Sequence, residues 1–335
     1  MRPNILVPVR ERYRSFLLPG RMLEQLAAFA DIEVVVDPAD LPKNEYCALY
    51  RGRDAVLTTW NTPMMDREVI ACMDKLQIIS HCGGEVRPFI APEFFELKPD
   101  VVLCNASNVM AKPVAEHTLT VALTLLRGLF HFKQWIKEGE NWWDYDPDQN
   151  RSLLRKKIGI VGLGQIAREF IGLVRAFDVE LWVYSGHMSE AEAAAQGLVK
   201  KNLEEIFSQC DVITISAANT PSNRHMVNRD LLRLIKPGAV LINNARGALI
   251  DEQALVEELR TGRFQAAIDV TDPEPPAAGH PLRDMPNVLL TPHTGGPVPE
   301  QRIWMMEEAV DNLRNFFSGK PVRGVVDKKR FTYMA

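Results

Sequence analysis

Lys157-Ile158-Gly159-Ile160-Val161-Gly162-Leu163-Gly164-Gln165-Ile166-Ala167 is the stretch on which the fold is decided. Its first five residues form a short apolar run suited to a buried strand. The glycines follow as G-x-G-x-x-A, and residues 167–177 continue with apolar side chains on one helical face. Strand, glycine turn and helix in that order form the dinucleotide fingerprint in the context it requires. The first glycine permits the tight turn, and the second lets a pyrophosphate approach the backbone. The small third residue lets helix and strand pack closely. The helix N-terminus then offers unpaired N–H groups and partial positive charge to the phosphates. Gly162, Gly164, Gln165 and Ile166 are therefore candidate cofactor contacts.

Working outward, apolar runs alternate with amphipathic segments along nearly the whole chain, which predicts an α/β protein with parallel sheets. Strands are expected over residues 5–9, 32–36, 55–59, 76–80 and 101–104 before the glycines. After them they are expected over 180–184, 212–216, 239–243, 266–268 and 288–290. Helices are expected at 21–29 and 66–73, with a long one over 114–137 that has Pro113 in its first turn and no interior proline. A last helix over 300–317 stops before Gly319 and Pro321. A chain of 335 residues exceeds one ordinary core, so two doubly wound units are expected, with the fingerprint in the second. Residues 139–150, polar and aromatic with Trp142, Trp143 and Tyr145, read as an exposed excursion. They form either a surface loop with its own aromatic cluster or a partner-facing arm.

Composition narrows the function. The 46% hydrophobic and 24% charged residues are ordinary globular usage. A net charge of -4 argues against a nucleic-acid partner. No apolar run reaches the length of a membrane span, and the N-terminus enters a strand without a signal-peptide apolar region. A cytoplasmic location away from the membrane is expected. The five cysteines show neither C-x-x-C pairs nor metal-ligand spacing, so reduced core thiols and no metal site are expected. That removes zinc alcohol dehydrogenase chemistry. Cys82, just before Gly83-Gly84, reads as a small packing residue rather than a nucleophile.

Ligands of doubly wound sheets lie at the carboxyl ends of the strands. Three expected strand ends carry suggestive groups: Asn243-Asn244-Ala245-Arg246-Gly247, Asp269-Val270-Thr271-Asp272-Pro273-Glu274-Pro275, and Thr291-Pro292-His293-Thr294-Gly295-Gly296. Singly, each has an ordinary explanation: a surface cation, a solvated turn glutamate, a structural histidine. Together they bring a guanidinium, a carboxylate and an imidazole to one sheet edge.

In these segments and their order the chain resembles the D-isomer-specific 2-hydroxyacid dehydrogenases over nearly its full length. Pro113-Val114-Ala115-Glu116-His117 resembles the family's VAE helix start, and residues 158–167 resemble its GIVGLGxIG segment. Asn219-Thr220-Pro221 resembles the loop after the fourth nucleotide-fold strand, and the ARG, DVxxxEP and TPH segments resemble its signature blocks. The resemblance implies a Rossmann nucleotide-binding domain (106–298) inserted into a discontinuous flavodoxin-like substrate domain (1–105 with 299–335). It implies a homodimer built on helix 114–137 and the following arm, and domain closure that excludes water. The catalytic residues would be Arg246, Glu274 and His293, acting with NAD or NADP on a small 2-oxo or 2-hydroxy acid. Asp269 would bind the nicotinamide carboxamide, with Ala217, Asn219 and Ala245 lining the cofactor pocket. Cys82, Gly83 and Gly84, in the loop His81–Arg87, would hold the substrate carboxylate together with Arg246.

The chemistry accounts for those residue types. Reduction of a 2-oxo acid needs a hydride on carbon and a proton on oxygen. His293 would be the proton donor, Glu274 would favour the imidazolium and fix its tautomer, and Arg246 would grip the carboxylate and polarise the carbonyl. Formate dehydrogenase relatives fit poorly, because Glu274 stands where they carry glutamine.

Two departures stand out. The loop continues Glu85-Val86-Arg87-Pro88 instead of G-x-D-N-I-D, so Arg87 either faces an acidic substituent or braces the loop. Trp60 either walls a pocket or packs in the core. The second nucleotide-fold strand ends Val183-Tyr184-Ser185-Gly186-His187, without the ribose-binding carboxylate of NAD-specific enzymes and with no Arg or Lys nearby. Ser185 and His187 leave NAD against NADP open. A nucleotide-sensing, corepressor-like binding protein on the same fold is the alternative from another class.

Overall fold

The computed structural model describes residues 2–139 and 141–333. Met1, Met334, Ala335 and Glu140, the last inside the expected arm, lie outside the described residues. Contacts group the chain into two units, Met1–Met110 with Pro297–Ala335, and Ala111–Gly296.

The first unit carries β1 (Asn4–Val9), β2 (Asp31–Val36), β3 (Ala55–Thr58), β4 (Ile78–His81) and β5 (Val102–Asn105). All pairs are parallel in the order β2-β1-β3-β4-β5, the flavodoxin-like arrangement. Both faces of this sheet are covered, which is why its strands read as continuous apolar runs. Ile5 and Val7 enter one core with Leu57, Met305 and Val310, while Leu6 and Val56 enter the other with Ile79 and Phe94. Helix Pro299–Phe317 supplies Met305, Met306, Ala309, Val310 and Leu313 to the first core.

The second unit carries β6 (Lys157–Val161), β7 (Glu180–Tyr184), β8 (Val199–Lys200), β9 (Val212–Ile215), β10 (Val240–Asn243), β11 (Gln265–Ile268) and β12 (Val288–Leu290). The order β12-β11-β10-β9-β6-β7-β8 is parallel throughout. Counted from β6 it is the Rossmann order with one further strand. Asn243, Ile268 and Leu290 stand in register, so the segments after them leave the sheet at one edge.

The long helix departs from expectation. Helix Ser107–Leu126 starts earlier than predicted and contains Pro113 in its interior. Asn105 Oδ1 accepts from the Ser107 hydroxyl at 3.0 Å and from its N–H at 3.4 Å, which sets the start before the proline. Pro113 then removes a single intrahelical donor. A separate helix, Leu129–Lys137, follows Gly128. Gly128 has φ +59°, and a Cβ there would strike the Gln149 carbonyl, so returning chain packs where a continuous helix would run. The two-residue β8 was not foreseen. No helix among the described residues is long and apolar enough to cross a membrane.

Candidate active site

The loops after β10, β11 and β12 carry Arg246, Glu274 and His293 from three adjacent strands. His293 Nδ1 lies 2.6 Å from Glu274 Oε1, with the two side chains 45% and 40% exposed. An Nδ1–H donated to the carboxylate fixes the tautomer and leaves Nε2 as the exchangeable position. His293 holds a left-handed backbone, φ +53°, which is uncommon for a residue with a Cβ and is maintained by its surroundings. Its N–H donates to the carbonyls of Asp269 at 2.9 Å and Thr291 at 3.0 Å.

Asp269, 3% exposed, is the main brace of that loop. Its carboxylate accepts from the Thr291 hydroxyl at 2.6 Å and from the N–H groups of Thr294 and Gly295, both at 2.8 Å. Asn243 does the same for the arginine loop. The side chain, 1% exposed, accepts from Ala245 N–H at 3.1 Å and donates to the Arg246 carbonyl at 3.0 Å. Arg246 Nη1 donates to the Ala245 carbonyl at 2.7 Å. Sequence reasoning quoted Asn243 but missed this role; its only signal was an amide in the last, buried position of a strand. A Cβ on Gly247 would fall on the Thr271 carbonyl and lie 2.6 Å from Asp272 N, so the arginine and glutamate loops meet backbone to backbone.

At the same edge, Gly162 has φ +94°, and a Cβ there would lie 2.6 Å from Ala217 N and Cα. Gly164 caps helix Gln165–Val174 and faces open space, with nothing within 4 Å of where a Cβ would stand. A glycine that meets open space at the start of a ten-residue helix fits a pyrophosphate, and Gln165, Ile166 and Ala167 supply the first-turn N–H groups. Ala217 and Ala245, each 8% exposed, keep the neighbouring strand ends small, and Asn219 follows on the loop after β9. Ser185 Oγ accepts from His187 N–H at 3.4 Å in the turn after β7. Lys200 stands opposite Val183 in β8, and Lys201 N–H donates to Val183 O, although Lys201 Nζ is held by Glu205 at 2.6 Å.

The expected carboxylate loop lies in the first unit. Cys82 is fully buried and its thiol is pushed far up by desolvation, which suits packing and not nucleophilic attack. The Cys82 N–H is committed to Thr58 O at 2.8 Å and the Gly83 N–H to His81 O at 3.0 Å. For Gly84 N–H the described residues supply no acceptor. His81 is 2% exposed, and burial brings its pKa down to about 3. Its ring lies 4.3 Å from that of Phe89, and Nδ1 is 3.0 Å from Thr58 Oγ1. Arg87 pairs with Glu85 through two contacts, Nη2 donating at 3.1 Å. Trp60 packs at the margin of the first-unit core, edge-on to Tyr13 at 5.7 Å.

The family model for the D-isomer specific 2-hydroxyacid dehydrogenase NAD-binding domain matches residues 119–295. The chain belongs to this family. It is similar to glyoxylate reductase of Thermofilum pendens, 30% identical over 325 residues, covering 95% of this chain and 94% of that protein. It is also similar to D-3-phosphoglycerate dehydrogenase of Synechocystis sp., 29% identical over 322 residues, covering 94% of this chain and 57% of that protein. The chain thus spans little more than half the length of the curated phosphoglycerate dehydrogenases it matches. Among solved structures, an NADPH-dependent glyoxylate/hydroxypyruvate reductase from Sinorhizobium meliloti, in complex with citrate, superposes with a TM-score of 0.76. It is 26% identical, with full coverage of both chains. These relatives are reductases and dehydrogenases, and they lend no support to the nucleotide-sensing alternative.

Proposed function

We propose that this family member transfers a hydride reversibly between NAD(P)H and a small 2-oxo acid or its D-2-hydroxy counterpart. The carrying observation is the 2.6 Å contact between His293, after β12, and Glu274, after β11, the strand that neighbours β10 and its Arg246 loop. Bound nicotinamide nucleotide supplies or accepts the hydride. The glycine turn after β6 would hold its pyrophosphate, with Ala217, Asn219, Ala245 and Asp269 along its path and Ser185 and His187 at the ribose end.

In the reductive direction His293 gives a proton to the oxygen that was the carbonyl. Glu274 stabilises the positive ring before that transfer and holds its Nδ1 side throughout. Arg246 offers fixed N–H donors to the substrate carboxylate and to the developing alkoxide. The loop Cys82-Gly83-Gly84 adds the Gly84 N–H as a carboxylate donor, with glycine permitting close approach. In oxidation the neutral imidazole takes the hydroxyl proton back. A homodimer is part of the proposal. Leu129, Phe130, Ile136, Trp142 and Trp143 are more than half exposed, an apolar surface suited to a second copy; light scattering should return twice the chain mass.

The test is loss of reduced-cofactor absorbance with a panel of 2-oxo acids, using NADH and NADPH in turn. His293→Ala should lower kcat roughly 100- to 10,000-fold while cofactor affinity, read by fluorescence titration, stays at the wild-type value. Near-full turnover by that variant would end the assignment.

A further inference from the structure

At the carboxyl end of the first sheet, two guanidinium groups lie on one aromatic cluster. Arg302, in the first turn of helix Pro299–Phe317, sits 5.3 Å from the Phe16 ring centroid and 5.8 Å from that of Trp60. Arg12 sits 4.5 Å from the Tyr13 ring, which is itself edge-on to Trp60. Other arginines on this edge have acids beside them: Arg10 has Asp37 and Asp40, Arg14 has Glu11, and Arg87 has Glu85. Arg302 has one hydrogen bond, from Nε to the Pro297 carbonyl at 3.4 Å. Among the described residues no carboxylate lies within 4 Å of its guanidinium or that of Arg12.

Stacking orients a guanidinium and partly offsets its lost hydration, but does not neutralise it. A half-buried cation beside two aromatic rings, with its terminal N–H groups uncommitted, is preorganised for an oxyanion. The indole beneath it also borders the carboxylate loop, since Trp60 Nε1 lies 3.0 Å from where a Cβ on Gly83 would be. One ring therefore touches both the cation and the loop.

We infer that Arg302 receives a second anionic group, a carboxylate or a phosphoryl ester, at the far end of the substrate. This rests on the reading above that the Gly83–Gly84 loop binds the substrate's own carboxylate. Trp60 is then the wall between the two anion sites, and the preferred substrates are acidic 2-oxo acids rather than neutral ones of equal length.

The experiment compares matched pairs, 2-oxoglutarate with 2-oxopentanoate and phosphohydroxypyruvate with hydroxypyruvate, on the cofactor-loaded protein. The wild type should favour the acidic member of at least one pair in kcat/KM, and the pair it favours identifies the anion. Arg302→Met should cut that acidic-to-neutral ratio by about 10- to 100-fold, the scale of a lost charged hydrogen bond. Arg302→Lys should retain part of it, and thermal melting checks that both variants fold. Equilibrium binding of the same acids, followed by tryptophan fluorescence, reads the site without turnover. If no 2-oxo acid is turned over yet acidic members bind in an Arg302-dependent way, the proposed reaction fails and this site stands. If acidic and neutral members bind alike, or Arg302→Met leaves the ratio unchanged, the inference is overturned whatever the turnover.

Discussion

His81 makes the stability of the first unit depend on pH in a direction and amount that the structure sets. The ring is buried between Phe89 and the Thr58 hydroxyl, and its pKa falls from the usual 6.5 to about 3 because no solvent reaches the charged form. In the unfolded chain the same ring protonates near 6.5. Between those two values the unfolded state binds the extra proton, so stability is fully present above about pH 6.5 and is lost as pH falls toward 3. Each unit of pH in that window costs about 1.4 kcal/mol, so acidification from pH 8 to pH 5 should remove about 2 kcal/mol through this residue alone. Urea unfolding at a series of pH values measures the total, and His81→Gln isolates the share of His81 by flattening the profile by that amount. Histidine-selective NMR supplies the direct check, since the His81 ring signal should stay unshifted from pH 8 to pH 5. A His81 titration centred near 6.5, or a His81→Gln profile with unchanged slope, would refute the argument.

Gly247→Ala places a methyl group on the Thr271 carbonyl, against backbone that cannot rotate away. It should cost about 3 kcal/mol or more by overpacking and lower turnover at least tenfold, because Arg246 and Glu274 flank that contact; an unchanged melting temperature would contradict it. Asp269→Ala leaves one hydroxyl and two N–H donors of the histidine loop without their acceptor. Only the Gly295 N–H bond is fully buried, so a loss of about 1–3 kcal/mol in denaturant unfolding is expected, together with faster amide hydrogen exchange at Thr294 and Gly295.

Much of this architecture could be read from residues because buried parallel strands announce themselves. Ile158, Ile160, Val212, Ile213 and Ile215 are covered on both sheet faces, so each strand appears as an unbroken apolar run. The glycine turn could be read because Gly162 and Gly164 answer two different spatial demands, one filled by Ala217 and one open. The order of Arg246, Glu274 and His293 along the chain becomes an order across the sheet edge, since β10, β11 and β12 are consecutive neighbours. What escaped depends on contacts distant in sequence. Val199–Lys200 is too short and exposed to show a period. Gly128 looks innocuous until Gln149 returns to occupy the space beside it. Asn243 and Asp269 brace loops through hydrogen bonds that spacing alone cannot announce.

The interruption of the first unit by the second has a consequence during synthesis. Residues up to Met110 leave the ribosome long before Met305, Met306, Ala309, Val310 and Leu313, which complete one face of their sheet. Ala111–Gly296 is contiguous and emerges whole in between. The later-numbered body is thus free to acquire its structure first, while the nascent amino-terminal sheet has one greasy side covered only in part, by Leu17, Met22 and Leu26, until helix Pro299–Phe317 arrives. Chaperone demand should therefore peak in that interval of translation.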